Sequence, residues 1–429
     1  MGKTNRSFYR IFRIPLAVLA TLVLTLLVLN LSLGDKQIES PIPHTYGVRD
    51  PRFVHTMGLI LGPGFIQGNA VRTLINGEEI FPAMLAAIRS ARHSVTLETY
   101  IFFSGTIAEQ LTEALVERAE AGVAVKVLLD WIGGELDHRL LARLQSKGVE
   151  LAWYHAPDWT DLAKLNNRTH RKLLVVDGAV GFTGGVDIAD KWRGDARSPG
   201  HWRDTHFEVT GPVVGQLQAA FADNWLQATG KILRGTEYFP QLQPTGSLQA
   251  QVFTGSPGGG ARSMQLMYLL SIAAAEHTLR LSAAYFVPDE VALPELAQAA
   301  RRGVRVQIIV PGEHIDWNVV RRASRHRWGP LLEAGVELYE YQPTMYHVKM
   351  LLADSSWVSV GSTNFDQRSF AINDEANLNV HDAAFAEAQA RHFEDDLRQS
   401  RRITLEAWQS RPWSDKALDF AASLIGSQL

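Results

Sequence analysis

One three-residue pattern occurs twice in this chain and constrains its fold more than any other feature. A His is followed two residues later by a Lys and, after four intervening residues, by an Asp. The two copies are His170, Lys172 and Asp177, and His347, Lys349 and Asp354. The intervening residues are apolar or small in both copies, which predicts a buried β-strand. Because residues i and i+2 of a strand share a face, each His is expected to point the same way as its Lys.

The duplication extends well beyond these motifs. Three further stretches of the first half recur in the second at a nearly constant separation: residues 91–95, 122–127 and 148–151 match residues 275–279, 303–308 and 335–338. Each motif is also followed, after six residues, by a glycine-containing segment that reads GGVD in the first copy and GSTN in the second. A period this long excludes a solenoid and predicts two homologous lobes related by a pseudo-twofold axis.

Helical patterns alternate with apolar strand patterns in both halves, which indicates an α/β fold. Lobe 1 is predicted over residues 66–230 and lobe 2 over residues 264–400, each with one motif. Pro and Gly interrupt the pattern over residues 231–263, the predicted connection, and a helical tail is predicted over residues 401–429. A pseudo-twofold axis brings equivalent strands face to face. The two His-Lys pairs are then expected to surround one small volume suited to a phosphate ester.

The N-terminal region has the composition of a membrane anchor. Residues 1–13 carry four basic side chains and no acidic one, and residues 14–33 are apolar apart from four polar side chains. About 20 such residues can cross a bilayer. The alternative is a cleaved signal peptide, although its apolar region is usually shorter and no A-x-A-like site follows. Basic flanks tend to remain in the cytoplasm, so the lobes are predicted outside it. Residues 34–65, which contain four Pro, are predicted to be a linker.

The composition excludes several classes of protein and of site. The formal net charge is −3 at pH 7, so the chain lacks the basic excess of a general nucleic-acid binder, and no nucleic-acid partner is expected. There is no Cys, which excludes disulfides, thiol catalysis and zinc–thiolate sites. With 429 residues, of which 46% are hydrophobic, the chain can bury a large core.

Two such motifs, each followed by G-[GS]-x-[ND], resemble those of the phospholipase D superfamily. The stretches INGEEIFPAMLAAI, YFVPDEVALPEL and VGSTNFDQRSFAINDEANLNV are similar to bacterial cardiolipin synthases, and the similarity spans roughly residues 66–400. One motif alone occurs by chance, whereas two at matched places in a duplicated fold are specific. The resemblance implies two phospholipase D-like lobes and a phosphatidyltransferase of the bacterial inner membrane. Such an enzyme joins two phosphatidylglycerol molecules into cardiolipin and releases glycerol.

The implied partners are these membrane phospholipids, and the sequence leaves the oligomeric state open. Three alternatives also remain open. A phospholipase D-type phosphodiesterase would pass the same intermediate to water. A variant of the transferase would use phosphatidylethanolamine in place of one phosphatidylglycerol. A membrane-anchored lipid-binding protein with an inactive site is the third, and the intact His and Lys residues of both motifs argue against it.

The residue types of the motif fit attack on a phosphodiester. Neutral imidazole is a nucleophile and protonated imidazole an acid, so two histidines can divide the work. The resemblance implies a phosphohistidine intermediate; we assign His170 as nucleophile and His347 as general acid, and sequence symmetry also allows the reverse. Lys172 and Lys349 are expected to stabilise charge on the non-bridging oxygens, a task that metals perform in many phosphoesterases. We therefore expect no metal and no cofactor.

Four further residues are assigned supporting or structural roles. Ser362 and Asn364 are expected to add hydrogen bonds to the phosphate. The motif aspartates Asp177 and Asp354 belong to the catalytic motif but are interpreted as structural, paired with backbone or basic groups. A run of arginines near the second motif is either a solvated helix face or a contact with anionic lipid; its members are Arg321, Arg322, Arg325 and Arg327.

Each His also needs an acidic partner that fixes its tautomer. Family members carry an acidic residue at the position of Glu375, which is the predicted partner in lobe 2, where the motif His is His347. Residues 202–206 resemble the family segment W-R-D-T-H, which makes Asp204 the predicted partner in lobe 1, where the motif His is His170.

Asp187 departs from the family pattern, because the family usually has Asn where Asp187 stands and the second copy has Asn364 there. A carboxylate repels a phosphate unless it is protonated or turned away. Either lobe 1 holds phosphate mainly through Lys172, or Asp187 binds a substrate hydroxyl. The sequence does not choose between these two hypotheses.

Overall fold

The computed structural model describes residues 41–134, 137–156, 166–257, 262–424 and 426, together with positions 15, 18, 20, 21 and 38. The predicted basic tail over residues 1–13 lies outside the described residues, as does most of the predicted anchor over residues 14–33. The four described positions of that anchor are helical. No helix among the described residues is long and apolar enough to cross a membrane.

Helices and strands alternate in both halves of the described chain. The helices of the first half are α1 (Pro51–Leu61), α2 (Asn76–Ser90), α3 (Thr106–Glu120), α4 (His138–Ser146) and α5 (Val214–Thr229). Its strands are β1 (Ile66–Ile75), β2 (Ser94–Thr99), β3 (Ala124–Asp130), β4 (Glu150–Tyr154), β5 (Leu173–Val176), β6 (Val180–Gly184) and β7 (Thr205–Thr210). A short 3-10 helix, Asp190–Trp192, lies between β6 and β7.

The second half repeats this succession. Its helices are α6 (Ser263–Ala274), α7 (Ala292–Arg301), α8 (Asn318–Glu333), α9 (Gln367–Ala371), α10 (Ala383–Arg398), α11 (Leu405–Gln409) and α12 (Trp413–Ser423). Its strands are β8 (Leu248–Gly255), β9 (Thr278–Ala283), β10 (Phe286–Val287), β11 (Arg305–Pro311), β12 (Glu337–Tyr341), β13 (Lys349–Ala353), β14 (Trp357–Gly361), β15 (Phe365–Asp366), β16 (Glu375–His381) and β17 (Ser400–Ile403).

Fifteen of the described strands form one sheet, in which β17 is the edge strand beside β12 and the other fourteen form two sets with the same strand order. From the centre outward, lobe 1 contributes β1, β7, β6, β5, β2, β3 and β4, and lobe 2 contributes β8, β16, β14, β13, β9, β11 and β12. The outer three strands of each set pair in parallel and the inner pairs are antiparallel. The antiparallel pair β1–β8 joins the two sets, so the pseudo-twofold axis passes through this seam. The predicted two-lobe α/β architecture is confirmed.

The strands that follow the motifs are completely buried, as their apolar sequences predict. One hydrophobic cluster extends across the seam, where Val175 and Phe221 of lobe 1 belong to the same core as Leu352 and Val380 of lobe 2. Full burial of an apolar side chain of this size contributes about 1.5–3 kcal/mol. The continuous core fixes the lobes relative to each other, and it thereby fixes the distance between the two motifs.

Two stretches that the sequence predicted to be irregular contain regular elements. Helix α1 lies in the predicted linker over residues 34–65, where Asp50 accepts a hydrogen bond from the Arg52 N–H at 2.9 Å and caps the first turn. Its Phe53 packs edge-to-face against Trp357, with 4.9 Å between ring centroids. Strand β8 lies in the predicted connection over residues 231–263 and pairs along its length with β16. Flanking Pro and Gly residues obscured the strand pattern there.

Candidate active site

Both motifs lie where equivalent strands begin. Lys172 directly precedes β5 and Lys349 is the first residue of β13. Each lysine turns back toward its own motif: the Nζ of Lys172 donates to the carbonyl oxygen of His170 at 2.9 Å, and the Nζ of Lys349 donates to that of His347 at 2.7 Å. Both lysine side chains are buried. Each ammonium is therefore held beside the His of its own lobe.

The motif aspartates fasten the far ends of these strands. The Asp177 carboxylate accepts hydrogen bonds from the successive N–H groups of residues 92–94, at distances between 2.7 and 3.1 Å. The Asp354 carboxylate accepts from the N–H groups of residues 276–278, at distances between 2.8 and 3.1 Å. Each carboxylate thus ties its motif strand to the start of the neighbouring strand, and the interpretation of both aspartates as structural residues stays a prediction.

The ring of His170 is held by a carboxylate of the other lobe. Its Nδ1 lies 2.9 and 3.0 Å from the two oxygens of Glu375, the first residue of β16. Ser362 donates its hydroxyl to the same carboxylate at 2.5 Å. Glu375 is fully buried, whereas 12% of the His170 side chain is exposed. An Nδ1–H that donates to Glu375 leaves the Nε2 of His170 as the nitrogen with a free lone pair.

His347 has the reciprocal arrangement. Its Nδ1 lies 2.7 Å from the Oδ2 of Asp204, which directly precedes β7 in lobe 1. Asp204 also accepts hydrogen bonds from the Trp192 indole N–H at 3.0 Å and from the Thr205 backbone N–H at 2.8 Å. The Nζ of Lys349 is almost equally close to both ring nitrogens of His347, at 3.0 and 3.1 Å.

The prediction that each carboxylate orients the His of its own lobe is therefore wrong. The structure brings all four residues together but exchanges the partners, so that Asp204 orients His347 and Glu375 orients His170. Asp204 lies directly before β7 and Glu375 begins β16, and both strands are near the seam of the sheet. The start of each of these two strands lies beside the motif His of the opposite lobe.

The main chain makes the same exchange. The N–H of His170 donates to the carbonyl oxygen of Asp374 at 2.8 Å, and the N–H of His347 donates to that of Arg203 at 2.7 Å. The residue before each orienting carboxylate therefore holds the backbone of the His that the carboxylate orients. Arg203 is in turn fixed to lobe 2 by a buried bidentate pair with Asp396, with N–O distances of 2.8 and 2.9 Å. Neither half of the site is complete in one lobe.

The two motif lysines have different surroundings. The Nζ of Lys172 lies 3.2 Å from the Oδ2 of Asp187, and both side chains are 2% exposed. Asp187 also accepts hydrogen bonds from the Thr99 hydroxyl at 2.7 Å and the Tyr100 N–H at 3.1 Å. Burial acts to raise the pKa of Asp187, but Lys172 and His170 outweigh it and hold the pKa below 3.8. Asp187 is thus a carboxylate turned toward the lysine of its own lobe.

Burial and the cluster of ammonium groups shift the pKa values of the site. Desolvation, followed by repulsion from Lys172, lowers the pKa of His170 well below 6.5. Desolvation and repulsion from Lys349, Lys172 and Lys191 do the same for His347. Lys349 also lowers the pKa of His170, and Lys172 also lowers that of His347. The pKa of each imidazole therefore depends on the ammonium groups of both lobes. Both imidazoles are therefore neutral at pH 7 before an anion binds.

Burial also shifts the other charged groups. It raises the pKa of Asp204 against the opposing effect of Lys349, and it raises the pKa of Glu375 against the hydrogen bond from Ser362. It lowers the pKa of Lys349 from 10.5 to about 8. An arriving phosphate is therefore met by one lysine that is ion-paired with Asp187 and by one whose proton is weakly held.

A cavity of about 500 Å³ opens onto this site, and His170 forms part of its wall. Asn364 also lines it, and the Asn364 Oδ1 is buried without a hydrogen-bond partner among the described residues. Tyr285 and Asp316 also line the cavity, where the Tyr285 hydroxyl lies 2.9 Å from each oxygen of the Asp316 carboxylate and donates to it. The roles of Ser362 and Asn364 as phosphate ligands stay predictions, although Ser362 is bonded to Glu375.

Within the described ranges, no group of three or more His, Cys, Asp or Glu side chains is arranged to hold a metal ion. A metal-free reaction stays a prediction.

Known proteins share this duplicated arrangement. The sequence profile described as "Cardiolipin synthase, PLD-like domain" matches residues 84–192 and 268–397, one segment in each lobe. The cardiolipin synthase of Geobacillus kaustophilus is 34% identical over 360 residues, which is 83% of this chain and 72% of that protein. The chain belongs to the PLD-like cardiolipin synthase family.

Further members of the family agree with this assignment. Cardiolipin synthase A of Pseudomonas putida is 34% identical over 346 residues, which is 80% of this chain and 71% of that protein. The crystal structure of phosphatidylserine synthase from Haemophilus influenzae superposes with a TM-score of 0.68 over 88% of this chain and 99% of that one, at 14% identity. That likeness shows a shared fold. The resemblance inferred from the motifs is confirmed.

Aromatic residues surround the two motif imidazoles, a position that the sequence did not predict for them. Trp192 and Trp202 contact the ring of His347, with centroid distances of 5.3 and 5.1 Å. Tyr100 contacts the ring of His170 at 5.6 Å. Trp202 begins the W-R-D-T-H segment, which was a signal for its position; nothing in the sequence distinguished Trp192 from a core residue.

Three arginines of the run near the second motif form ion pairs within the protein. The two predicted alternatives were a solvated helix face and a contact with anionic lipid. Arg322 and Arg325 pair with Asp419 of helix α12, at 3.5 and 3.0 Å, and Arg321 pairs with Glu340 at 2.7 Å. The side chain of Asp419 is 1% exposed. Arg322 and Arg325 thus bind helix α12 of the C-terminal segment to lobe 2, and Arg321 is paired within lobe 2.

Proposed function

We propose that the protein is a cardiolipin synthase, which transfers the phosphatidyl group of one phosphatidylglycerol to a second one and releases glycerol. One observation carries the proposal: the Nδ1 of each motif His is held by a buried carboxylate of the opposite lobe. Both Nε2 atoms are thereby left for chemistry beside two ammonium groups. The relatives named cardiolipin synthase support this choice of substrates.

In the proposed first half-reaction, the Nε2 of His170 attacks the phosphorus of the donor lipid. We choose His170 as the nucleophile because it forms part of the cavity wall. The P–N bond forms while the P–O bond to glycerol breaks. The Nε2–H of protonated His347 gives its proton to the departing oxygen, so glycerol leaves as a neutral alcohol and His347 becomes neutral.

The second half-reaction reverses these steps with a new alcohol. A glycerol hydroxyl of the second phosphatidylglycerol gives its proton to the Nε2 of His347, and its oxygen attacks the phosphorus. The P–N bond to His170 breaks, which yields cardiolipin and the starting enzyme. A site that holds lipid and limits water favours this transfer over hydrolysis.

Substrate binding sets the protonation states that this scheme needs. Free His170 is neutral at pH 7, as a nucleophile must be, because burial and Lys172 lower its pKa. His347 has to carry a proton as the acid. A bound phosphate offsets the lysine charges that depress the pKa of His347, and it therefore favours protonation there. Lys172 and Lys349 stabilise the charge that develops on the non-bridging oxygens.

The test is incubation of the full-length protein with vesicles of labelled phosphatidylglycerol in the presence of a chelator, followed by chromatography of the products. Cardiolipin and glycerol in equal amounts are expected. Phosphatidic acid as the main lipid product identifies a hydrolase instead. Release of ethanolamine from vesicles that also contain phosphatidylethanolamine identifies that lipid as donor. Absence of turnover supports an inactive lipid-binding protein, and activity that only a divalent ion restores contradicts the metal-free scheme.

We further propose that residues 14–33 anchor the protein in the inner membrane with the lobes outside the cytoplasm. The four basic residues that precede the apolar run support this orientation. A reporter that folds only outside the cytoplasm, fused after Leu429, is expected to be active. A silent reporter, with a cytoplasm-specific one active at the same position, places the site on the inner face and contradicts the proposal.

A further inference from the structure

The proposed reaction brings two phosphates into one site. The acceptor phosphatidylglycerol has its own phosphate, and the glycerol that joins the two phosphates is only three carbons long. The second anion therefore lies close to the phosphohistidine when the acceptor attacks. Lys172 and Lys349 serve the phosphoryl group that is transferred, and Lys172 already has a carboxylate partner in Asp187 at 3.2 Å. A further cation is needed for the acceptor.

Lys191 is such a cation. It lies in the 3-10 helix Asp190–Trp192 and is partly buried. Its Nζ lies 3.9 Å from the ring centroid of Trp202, 4.8 Å from that of Trp192 and 5.6 Å from that of Phe103. An aromatic face attracts an ammonium without neutralising it. The aromatic residues therefore hold the ammonium in place and leave its charge available.

The same two indoles contact His347, whose ring centroid lies 5.3 Å from that of Trp192 and 5.1 Å from that of Trp202. The Lys191 ammonium and the imidazole of His347 thus contact the same two indole rings. The charge of Lys191 helps to lower the pKa of His347. Asp316, on the cavity wall, acts in turn on Lys191. The Lys191 ammonium is thus close enough to influence the general acid and to be influenced by a carboxylate of the cavity wall.

A comparison with other lysines separates this arrangement from a structural one. Lys126 lies 5.3 Å from the ring of Trp225, but it is ion-paired with Glu150. Lys172 lies 5.6 Å from the ring of Tyr100 and is paired with Asp187. Within the part of the chain that the structure describes, the Lys191 ammonium has aromatic contacts but no hydrogen bond and no ion pair. A partly buried cation without an anionic partner destabilises the free protein, and it is useful where an anion is still to bind.

We propose that the Lys191 ammonium binds the phosphate of the acceptor phospholipid and thereby favours an anionic lipid over a neutral alcohol as the second substrate. This inference rests on the proposed transferase function. According to this inference, the enzyme selects an anionic acceptor in the second half-reaction, because a neutral acceptor has no phosphate for Lys191 to bind.

The test lets two acceptors compete for one intermediate. Full-length protein is incubated with phosphatidylglycerol vesicles in the presence of 1-butanol, and cardiolipin and phosphatidylbutanol are measured. Both products arise from the same phosphohistidine, so their ratio is independent of the first half-reaction. Lys191→Gln removes the charge, and Lys191→Met also removes it but keeps an apolar stem against the indoles. Lys191→Arg keeps the charge. Lys147→Gln removes a surface ammonium that is paired with Glu120 and serves as the matched control.

The expected result is a cardiolipin-to-phosphatidylbutanol ratio that falls roughly tenfold in Lys191→Gln and Lys191→Met, a magnitude typical of a lost hydrogen bond to a charged group. Lys191→Arg is expected to restore most of the ratio, and Lys147→Gln to leave it unchanged. An unchanged ratio in both neutral variants, or an equal fall of both products, overturns the inference. If the wild-type protein makes phosphatidylbutanol but no cardiolipin, the proposed function itself fails, and the inference with it.

Discussion

The two lobes present the same motif on equivalent strands, yet they surround it with different charges. In lobe 1 the ammonium of Lys172 is paired with Asp187, which occupies the place of Asn364 in lobe 2. In lobe 2 burial lowers the pKa of Lys349 to about 8, and its Nζ lies within 3.1 Å of both ring nitrogens of His347. The fold thus repeats the positions of the catalytic groups, and the neighbours of those groups determine how they differ.

The exchange of carboxylates between the lobes makes this difference a property of the whole site. The His of lobe 1 depends on Glu375 and Ser362 of lobe 2, while the His of lobe 2 depends on Asp204 and the Trp192 indole of lobe 1. A duplicated chain could have kept two self-contained half-sites. Here each half lacks its orienting group until the other lobe is in place.

The largest expected effect separates the two histidines. His170→Ala should lower the turnover of phosphatidylglycerol by more than about 10⁴-fold, because no other side chain replaces the nucleophile. His347→Ala should lower it by about 10²–10⁴-fold, the usual contribution of a general acid. Rapid acid-free quenching and mass spectrometry should place the phosphatidyl adduct on His170. An adduct on His347 reverses the two roles, and near-full activity of either variant contradicts the two-histidine scheme.

The second prediction tests the exchange of carboxylates. Glu375→Gln and Asp204→Asn should each lower turnover by roughly 10²–10⁴-fold through loss of the productive tautomer. A phosphatidyl ester with p-nitrophenol as leaving group needs no general acid. With that substrate, Asp204→Asn should still form the adduct on His170, whereas Glu375→Gln should form little. The opposite result means that each carboxylate serves the His of its own lobe in solution.

The exchange of carboxylates between the lobes also shows which part of the site could not be predicted from the sequence. The apolar residues between the Lys and Asp of each motif predicted a buried strand, and both β5 and β13 are buried along their whole length. Such patterns depend on local burial, which the order of apolar residues records directly. Internal repetition likewise predicted both lobes and the two His-Lys pairs that the structure brings together. Repetition shows which residues are equivalent, but it does not show which lobe each one faces.

Other features could not be predicted from the sequence either, because local patterns do not show how separate segments pack. The ion pair of Lys172 with Asp187 depends on how the loop after β6 folds over the start of β5, and spacing alone does not give that direction. The start of α1 did have a local signal, Asp50 followed by Pro51, which the surrounding Pro residues obscured. The partners of the arginine run lie mainly in the tail, about 90 residues further on, and no periodicity connects the two.

The third prediction concerns the pH dependence of kcat/KM, which reports groups of the free enzyme. His170 has to be neutral, and burial and Lys172 hold its pKa below 6.5, so protonation of His170 should lower activity only below that pH. Lys349 has to be protonated, and its pKa is about 8, so activity should fall as the pH rises past about 8. Lys349→Arg keeps its proton at any of these pH values. The variant should be less active at pH 7 but should lose the alkaline limb. A limb that remains in Lys349→Arg belongs to another group.

The smallest expected effect comes from making the lobes alike. Asp187→Asn removes the partner of Lys172, and the loss of a buried partner destabilises a protein by about 3–5 kcal/mol, so the melting temperature should fall. The freed ammonium should bind phosphate more strongly, which should lower KM for phosphatidylglycerol a few-fold. Because the charge of Asp187 raises the pKa of His170, its removal should also move the acid limb of kcat/KM to lower pH. Asn364→Asp is the matched change in lobe 2, and it should raise KM instead. Equal shifts of KM in the same direction for both variants would mean that Asp187 contacts the substrate itself, rather than limiting the charge of Lys172.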